Sequence, residues 1–195
     1  MSPYRCILAD PPWPESGGGK IKRGADRHYT LIKTKEEILR VMLQSEFRVE
    51  CVPSLGIPRH TKQAWMPDPE GCHLWLWVTN NYLPWGLWLM QALGFRYISN
   101  VAWVKAEQRE SMFKPQKPGL GQYLRGQHEL LLFGVMGRLK AESKGVTAIV
   151  APRRKHSQKP TEAYELIERV SPSPRVEFFA RVAREGWDAF GNEIN

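Results

Sequence analysis

Asp10-Pro11-Pro12-Trp13 places a carboxylate, two residues without an N–H and a large aromatic ring directly after the apolar run Cys6-Ile7-Leu8-Ala9. The run reads as a short buried strand. Neither proline can donate to a sheet and both hold the backbone extended, so the strand must end there on a stiff edge. Such an edge suits a flat ring that carries an amine. The Asp10 side chain and the Pro11 carbonyl can accept from an exocyclic NH2, and Trp13 can stack on the ring face. The carboxyl end of a strand is also where open α/β sheets bind ligands. Taken alone, the tetrapeptide would equally serve to stop a strand, with Trp13 in the core.

Other candidate chemistries fail on spacing. Gly17-Gly18-Gly19-Lys20 lacks the GxxxxGK[ST] pattern of a phosphate loop, and Gly119-Leu120-Gly121 has neither the preceding strand nor the acidic partner of a dinucleotide turn. His156-Ser157 sits in no nucleophile elbow. The histidines have no HxxH or HExxH spacing, and Cys6, Cys51 and Cys72 are too scattered for a metal site or a disulfide framework. No metal is expected, and the cysteines read as reduced thiols of a cytoplasmic protein. No stretch is long and apolar enough to span a membrane, and the first residues do not read as a signal peptide.

The elements that must position Asp10 alternate. Strands are expected near 5–9, 74–79, 97–104, 129–134, 147–151, 175–180 and 187–190. Thr34-Lys35-Glu36-Glu37 is a capping box that opens a helix with Ile38, Val41 and Met42 on one face. A second helix runs from about Asn81 to Leu93 and stops at Gly94. A third starts near Pro160 or Thr161, with Ala163, Ile167 and Val170 on one stripe. This alternation predicts a mostly parallel α/β sheet of about seven strands in a single domain, 1–195.

The chain has 195 residues, 42% hydrophobic and 25% charged, so a full core is available and disorder is not the default. A net charge of +8 points to a polyanionic partner. Two Gly- and cation-rich stretches follow strand ends. Residues 14–33 carry Lys20, Lys22, Arg23 and Arg27, and residues 106–127 carry Arg109, Lys114, Lys117 and Arg125. Both suit phosphate contacts. Residues 45–72, with Pro53, Pro58, Pro67 and Pro69, read as an irregular insertion.

Further segments follow in a fixed order. They are Leu74 to Thr79, Trp103-Val104-Lys105, Gly119 to Arg125, Glu129 at the head of an apolar strand, His156 to Glu162, Val176 to Arg181, and Gly186 to Glu193. With Asp10-Pro11-Pro12-Trp13, this succession resembles the family of the seventy-kilodalton subunit of mRNA adenosine methyltransferase, which includes bacterial and phage DNA adenine methyltransferases. The likeness runs from Tyr4 to Glu193, apart from the 45–72 insertion.

The resemblance implies a Rossmann-like fold that uses S-adenosylmethionine. Its motif order is permuted: the catalytic segment is N-terminal and the cofactor strand C-terminal. Asp10, Pro11, Pro12 and Trp13 match the catalytic motif, Tyr29 an aromatic of a closing loop, and Lys105 a lysine near both substrates. Lys159 and Pro160 match the loop at the cofactor's methionine end. Glu177, Phe179, Arg181, Asn192 and Glu193 match residues around its ribose and adenine. Lys20, Arg23, Arg27, Lys114, Lys117 and Arg125 are the expected nucleic-acid contacts. The implied reaction is methylation of the adenine N6 amine, in DNA rather than RNA, with a homodimer or heterodimer as the expected assembly. An RNA adenosine methyltransferase, a cytosine amino methyltransferase and a non-catalytic nucleic-acid-binding subunit are the alternatives.

Overall fold

The computed structural model describes residues 3–15, 32–43, 67–109, 112–116, 118, 123–154 and 158–191. Its strands are β1 (Cys6–Ala9), β2 (Gly71–Val78), β3 (Arg96–Arg109), β4 (Met112–Pro115), β5 (His128–Gly137), β6 (Ala148–Ala151), β7 (Arg175–Phe178) and β8 (Trp187–Phe190). Its helices are α1 (Lys35–Leu43), α2 (Leu83–Ala92) and α3 (Thr161–Val170). The strands form one eight-stranded sheet in the order β4-β3-β5-β2-β1-β7-β8, with β6 also paired to β3.

The sheet is more mixed than the alternation predicts. β1 is parallel to β2 and β7, β8 is parallel to β7, and β6 is parallel to β3. β5, however, runs antiparallel between β2 and β3. The reason lies in the connections. α2 carries the chain over from β2 to β3, so these two strands point the same way. Among the described residues no helix separates β3 from β5, and β5 returns antiparallel, as a connection without a crossover must. The start of the expected 106–127 loop is instead a hairpin: β3 continues to Arg109 and β4 folds back on it. Its polar sequence gave no strand pattern. β2 likewise starts earlier than expected, at Gly71, behind a parallel bridge from Pro67 to Tyr4.

Side chains alternate between the two faces of the sheet. Ile7 and Ala9 of β1 join Leu74, Leu76, Val176 and Phe178 against Ile38, Val41 and Met42 of α1 and Leu89 and Met90 of α2. Cys6 and Leu8 join Trp75, Trp77, Trp103 and Leu131 against Ala163, Leu166, Ile167 and Val170 of α3. β1 is therefore buried on both faces, as a central parallel strand should be.

The helix ends follow their sequence signals. The Glu37 amide donates to Thr34 Oγ1 at 3.2 Å, closing half of the capping box. Gly94, at φ 83°, takes the left-handed turn after α2, and the Phe95 amide returns to the Met90 carbonyl at 2.9 Å.

Candidate active site

Strand directions bring the chemistry to one edge. β1, β2, β3, β6 and β7 all end there, and antiparallel β5 begins there. β1 is the switch point of the sheet, because the chain crosses from it towards β2 on one side and β7 lies on the other. Face alternation then selects the residues. Asp10 continues the Cys6 and Leu8 side, Lys105 that of Val101 and Trp103, and Glu129 that of Leu131. Glu177 pairs in register with Leu8. All four therefore lie on the face covered by α3.

Lys159, immediately before the first turn of α3, closes the cluster. Its Nζ lies 3.0 Å from Asp10 Oδ1 and 3.0 Å from Glu129 Oε2, and Lys105 Nζ lies 2.5 Å from Glu129 Oε1. The four side chains are largely buried. A cation at a helix N-terminus opposes the helix dipole, so Lys159 depends on the two carboxylates it bridges. Both lysines also lie over indole rings, Lys159 over Trp77 at 5.1 Å and Lys105 over Trp103 at 5.0 Å.

Burial and neighbours set the charges. Burial pushes the Asp10 carboxyl up. Lys159 opposes this, while Glu129 adds to it. Burial acts on Glu129 too, but Lys159 and Lys105 outweigh it and hold that carboxyl down to about 2. Burial disfavours the Lys159 ammonium, yet Asp10 and then Glu129 reverse this and keep it charged beyond the ordinary lysine range. Asp10 is thus the less acidic carboxyl of the cluster and Glu129 the more acidic one. Arg181 adds a weaker favourable field at Asp10.

Glu177 forms a second, adjoining site at the end of β7. The Tyr164 hydroxyl donates to its Oε1 at 2.9 Å, and the Arg184 guanidinium lies 3.8 Å from the centre of the Tyr164 ring. Burial, with Asp10 adding to it, pushes Glu177 up to about 7 despite that hydrogen bond and the weaker opposing fields of Arg184 and Lys159.

Several expected site residues are placed differently from their sequence reading. Trp13 is only 4% exposed: its Nε1 donates to the Trp77 carbonyl at 2.9 Å, and its ring stacks on Tyr82 at 5.8 Å. It is a core side chain that braces the motif, rather than an open plane, because the prolines turn the chain back over the end of β2. The Pro11 carbonyl already accepts from the Trp13 amide at 2.8 Å and the Pro12 carbonyl from the Ile32 amide at 3.2 Å. A carbonyl has two lone pairs, so Pro11 keeps one for another donor. Lys159 pairs with Asp10 and Glu129 inside the protein. Pro160 is buried as the N-terminal cap residue of α3.

Phe179 adopts φ 62°, a strained conformation for a bulky residue, and packs partly on the core. Lys114 and Arg125 are exposed. Tyr29, Lys20, Arg23, Arg27, Lys117, Asn192 and Glu193 lie outside the described residues. The sequence marks Glu129 only as the head of an apolar strand in the motif succession, without a role in the site, and gives Tyr164 none. A glutamate opening an apolar strand on the parity of Leu131 is a signal that could have found Glu129, whereas Tyr164 offers none, since it sits within an ordinary amphipathic helix.

A family model described as MT-A70 matches residues 4–193. An N(6)-adenosine-methyltransferase MT-A70-like protein of Arabidopsis thaliana is 28% identical over 199 residues, covering 100% of this chain and 24% of the relative. The human N(6)-adenosine-methyltransferase catalytic subunit METTL3 is 32% identical over 127 residues, 63% of this chain and 22% of the relative. The type II methyltransferase M.MunI of a Mycoplasma species is 27% identical over 197 residues, 98% of this chain and 78% of the relative. The chain thus spans about a quarter of the length of the first two relatives and most of the third.

Proposed function

The chain belongs to the MT-A70 family, and on that footing we propose that it transfers a methyl group from S-adenosylmethionine to the exocyclic amino nitrogen of adenine in a nucleic acid. The observation that carries this reading is the buried Asp10 carboxylate at the switch point, 3.0 Å from Lys159 and behind two prolines. The polymer is DNA in this reading. The chain spans 78% of the type II methyltransferase's length, against about a quarter of the two adenosine methyltransferases.

The residues present fit the methyl donor. Glu177, oriented by Tyr164, offers a carboxylate for hydroxyls, and Phe179 and Arg181 follow it at the same strand end. Trp77 Nε1 and Thr79 Oγ1, at the end of β2, are buried with no hydrogen-bond partner among the described residues. S-adenosylmethionine, when bound, supplies an electrophilic methyl carbon on a cationic sulfur.

The protein's own share is positioning and electrostatics. Asp10 accepts from the amine N–H, and the free lone pair of the Pro11 carbonyl offers a second acceptor that turns the nitrogen lone pair outward. Lys159 and Glu129 fix the Asp10 carboxylate in place. Burial makes Asp10 a better proton acceptor than an ordinary carboxylate, so it can take the amine proton at an Oδ. Trp13 holds the motif rigid from behind through Trp77 and Tyr82.

The test is a labelled-methyl assay on duplex DNA, single-stranded DNA and RNA, followed by nucleoside analysis. N6-methyladenine is expected, from DNA above RNA. Asp10→Ala should abolish transfer while cofactor binding persists, and a variant working at the parental rate would refute the role of the carboxylate. Transfer to RNA alone would move the substrate to that polymer. Cofactor binding without transfer to any nucleic acid would favour a non-catalytic subunit.

A further inference from the structure

Tyr123 and Leu124 are adjacent, apolar and almost wholly exposed, at 96% and 89%. Soluble surfaces seldom leave such neighbours in water without a use. Their place follows from what anchors the residues after them. A Cβ added to Gly126 would lie 3.9 Å from the side-chain nitrogen of Asn80, just past the end of β2. The Gln127 carbonyl accepts from the Lys105 amide at 2.9 Å, and its side chain donates to the Gln116 carbonyl at 3.1 Å. Glu129, two residues on, is in the charge cluster.

Three residues of chain reach at most about 11 Å, so Leu124 stands on the rim of the edge that holds Asp10. The same rim carries exposed cations. Arg125 is next in the chain, Lys114 lies on the β3–β4 hairpin, and the Arg153 amide donates to Gln116 Oε1 at 2.9 Å.

Resting on the adenine-methylation reading above, we propose that Tyr123 and Leu124 form a wedge that enters a duplex stack as the target adenine leaves it. An amine inside a duplex cannot reach a carboxylate at the foot of a strand-end site, so the base must swing out, at a cost of a few kcal/mol in lost stacking. Apolar side chains inserted between base steps offset that cost. Tyr123 presents a ring face to the base left behind, Leu124 fills space the adenine vacates, and Arg125 holds the adjoining phosphate. The pair stays exposed in the free protein because its partner is the interior of a nucleic acid, not the core of this chain.

The experiment compares the parental enzyme with Tyr123→Ala/Leu124→Ala. Methyl transfer is measured on a duplex that the parental enzyme methylates, on its target strand alone, and on the same duplex with the target opposite an abasic site. Emission from 2-aminopurine at the target position reports extrusion of the base without requiring transfer. We expect kcat/KM on the intact duplex to fall about tenfold or more, with less than about a twofold change on the single strand and the abasic duplex. The rise in 2-aminopurine emission should also be lost. Equal losses on duplex and single strand, no loss on the duplex, or a parental enzyme confined to single strands would each overturn the wedge. A parental enzyme that extrudes 2-aminopurine through Tyr123 and Leu124 but methylates no adenine would instead overturn the methylation reading and leave the wedge standing.

Discussion

Glu129→Gln removes one negative charge from between two ammonium groups while keeping the side chain's size. In the parental protein, Lys105 and Lys159 hold the Glu129 carboxyl at about 2 instead of 4.5. At ~1.36 kcal/mol per tenfold in acidity, that preference is worth about 3 kcal/mol of folding stability at neutral pH. The figure agrees with the 3–5 kcal/mol typical of breaking one side of a buried ion pair. The sign follows from a lowered carboxyl: the stabilisation is complete above about pH 4.5 and is lost as pH falls through about 2.

Urea unfolding at pH 7, 5 and 3 measures it. With a slope of ~2 kcal/mol per molar, the variant's midpoint should lie about 1.5 M lower at pH 7. The gap should narrow as the pH drops below about 4.5, since the unfolded parental chain then takes up a proton that the folded carboxylate resists. Other carboxylates titrate in the same window, but the parental-minus-variant difference isolates Glu129. A gap under about 1 kcal/mol at pH 7, or one equally large at pH 3, would refute the view of Glu129 as the cluster's more acidic carboxyl.

Three further outcomes follow from the same geometry. Glu177 is raised to about 7, so its effect on stability is most favourable below about pH 4.5 and is lost as pH rises through 7. Glu177→Gln should therefore gain up to about 3 kcal/mol over the parent at pH 8 and nothing at pH 4, read as the difference between thermal midpoints at the two pH values. Trp13→Phe leaves the Trp77 carbonyl without its 2.9 Å donor and should cost about 1–2 kcal/mol in urea unfolding; a cost near zero would mean that the indole N–H does not brace the motif. Gly191→Ala would drive a Cβ into the Ala180 carbonyl oxygen. The strand end that follows Glu177 must shift, so the cofactor Kd should rise well beyond the change in stability, and calorimetry showing unchanged affinity would exclude that coupling.

Much of the site was legible because local rules bear on it directly. The apolar run before Asp10 and the two prolines fix where β1 stops. Thr34, Gly94 and Pro160 mark helix ends, and parity within β1 puts Asp10 on the side of Cys6 and Leu8. The order of motifs from Asp10 to the Glu177 strand places the chain in its family.

What the sequence could not decide is long-range. Whether β5 runs with or against its neighbours depends on which strands it lies between, and that direction brings Glu129 to the same edge as Asp10. Whether Trp13 faces a ligand or the core depends on Trp77 and Tyr82, more than sixty residues away. The partner of Lys159 depends on charges delivered by two other strands. Local propensity and pattern act over a few residues and determine elements and faces. Burial, pairing and charge neutralisation act between residues far apart in the chain, so only the assembled sheet could turn Asp10 from the end of a strand into the centre of a charge cluster.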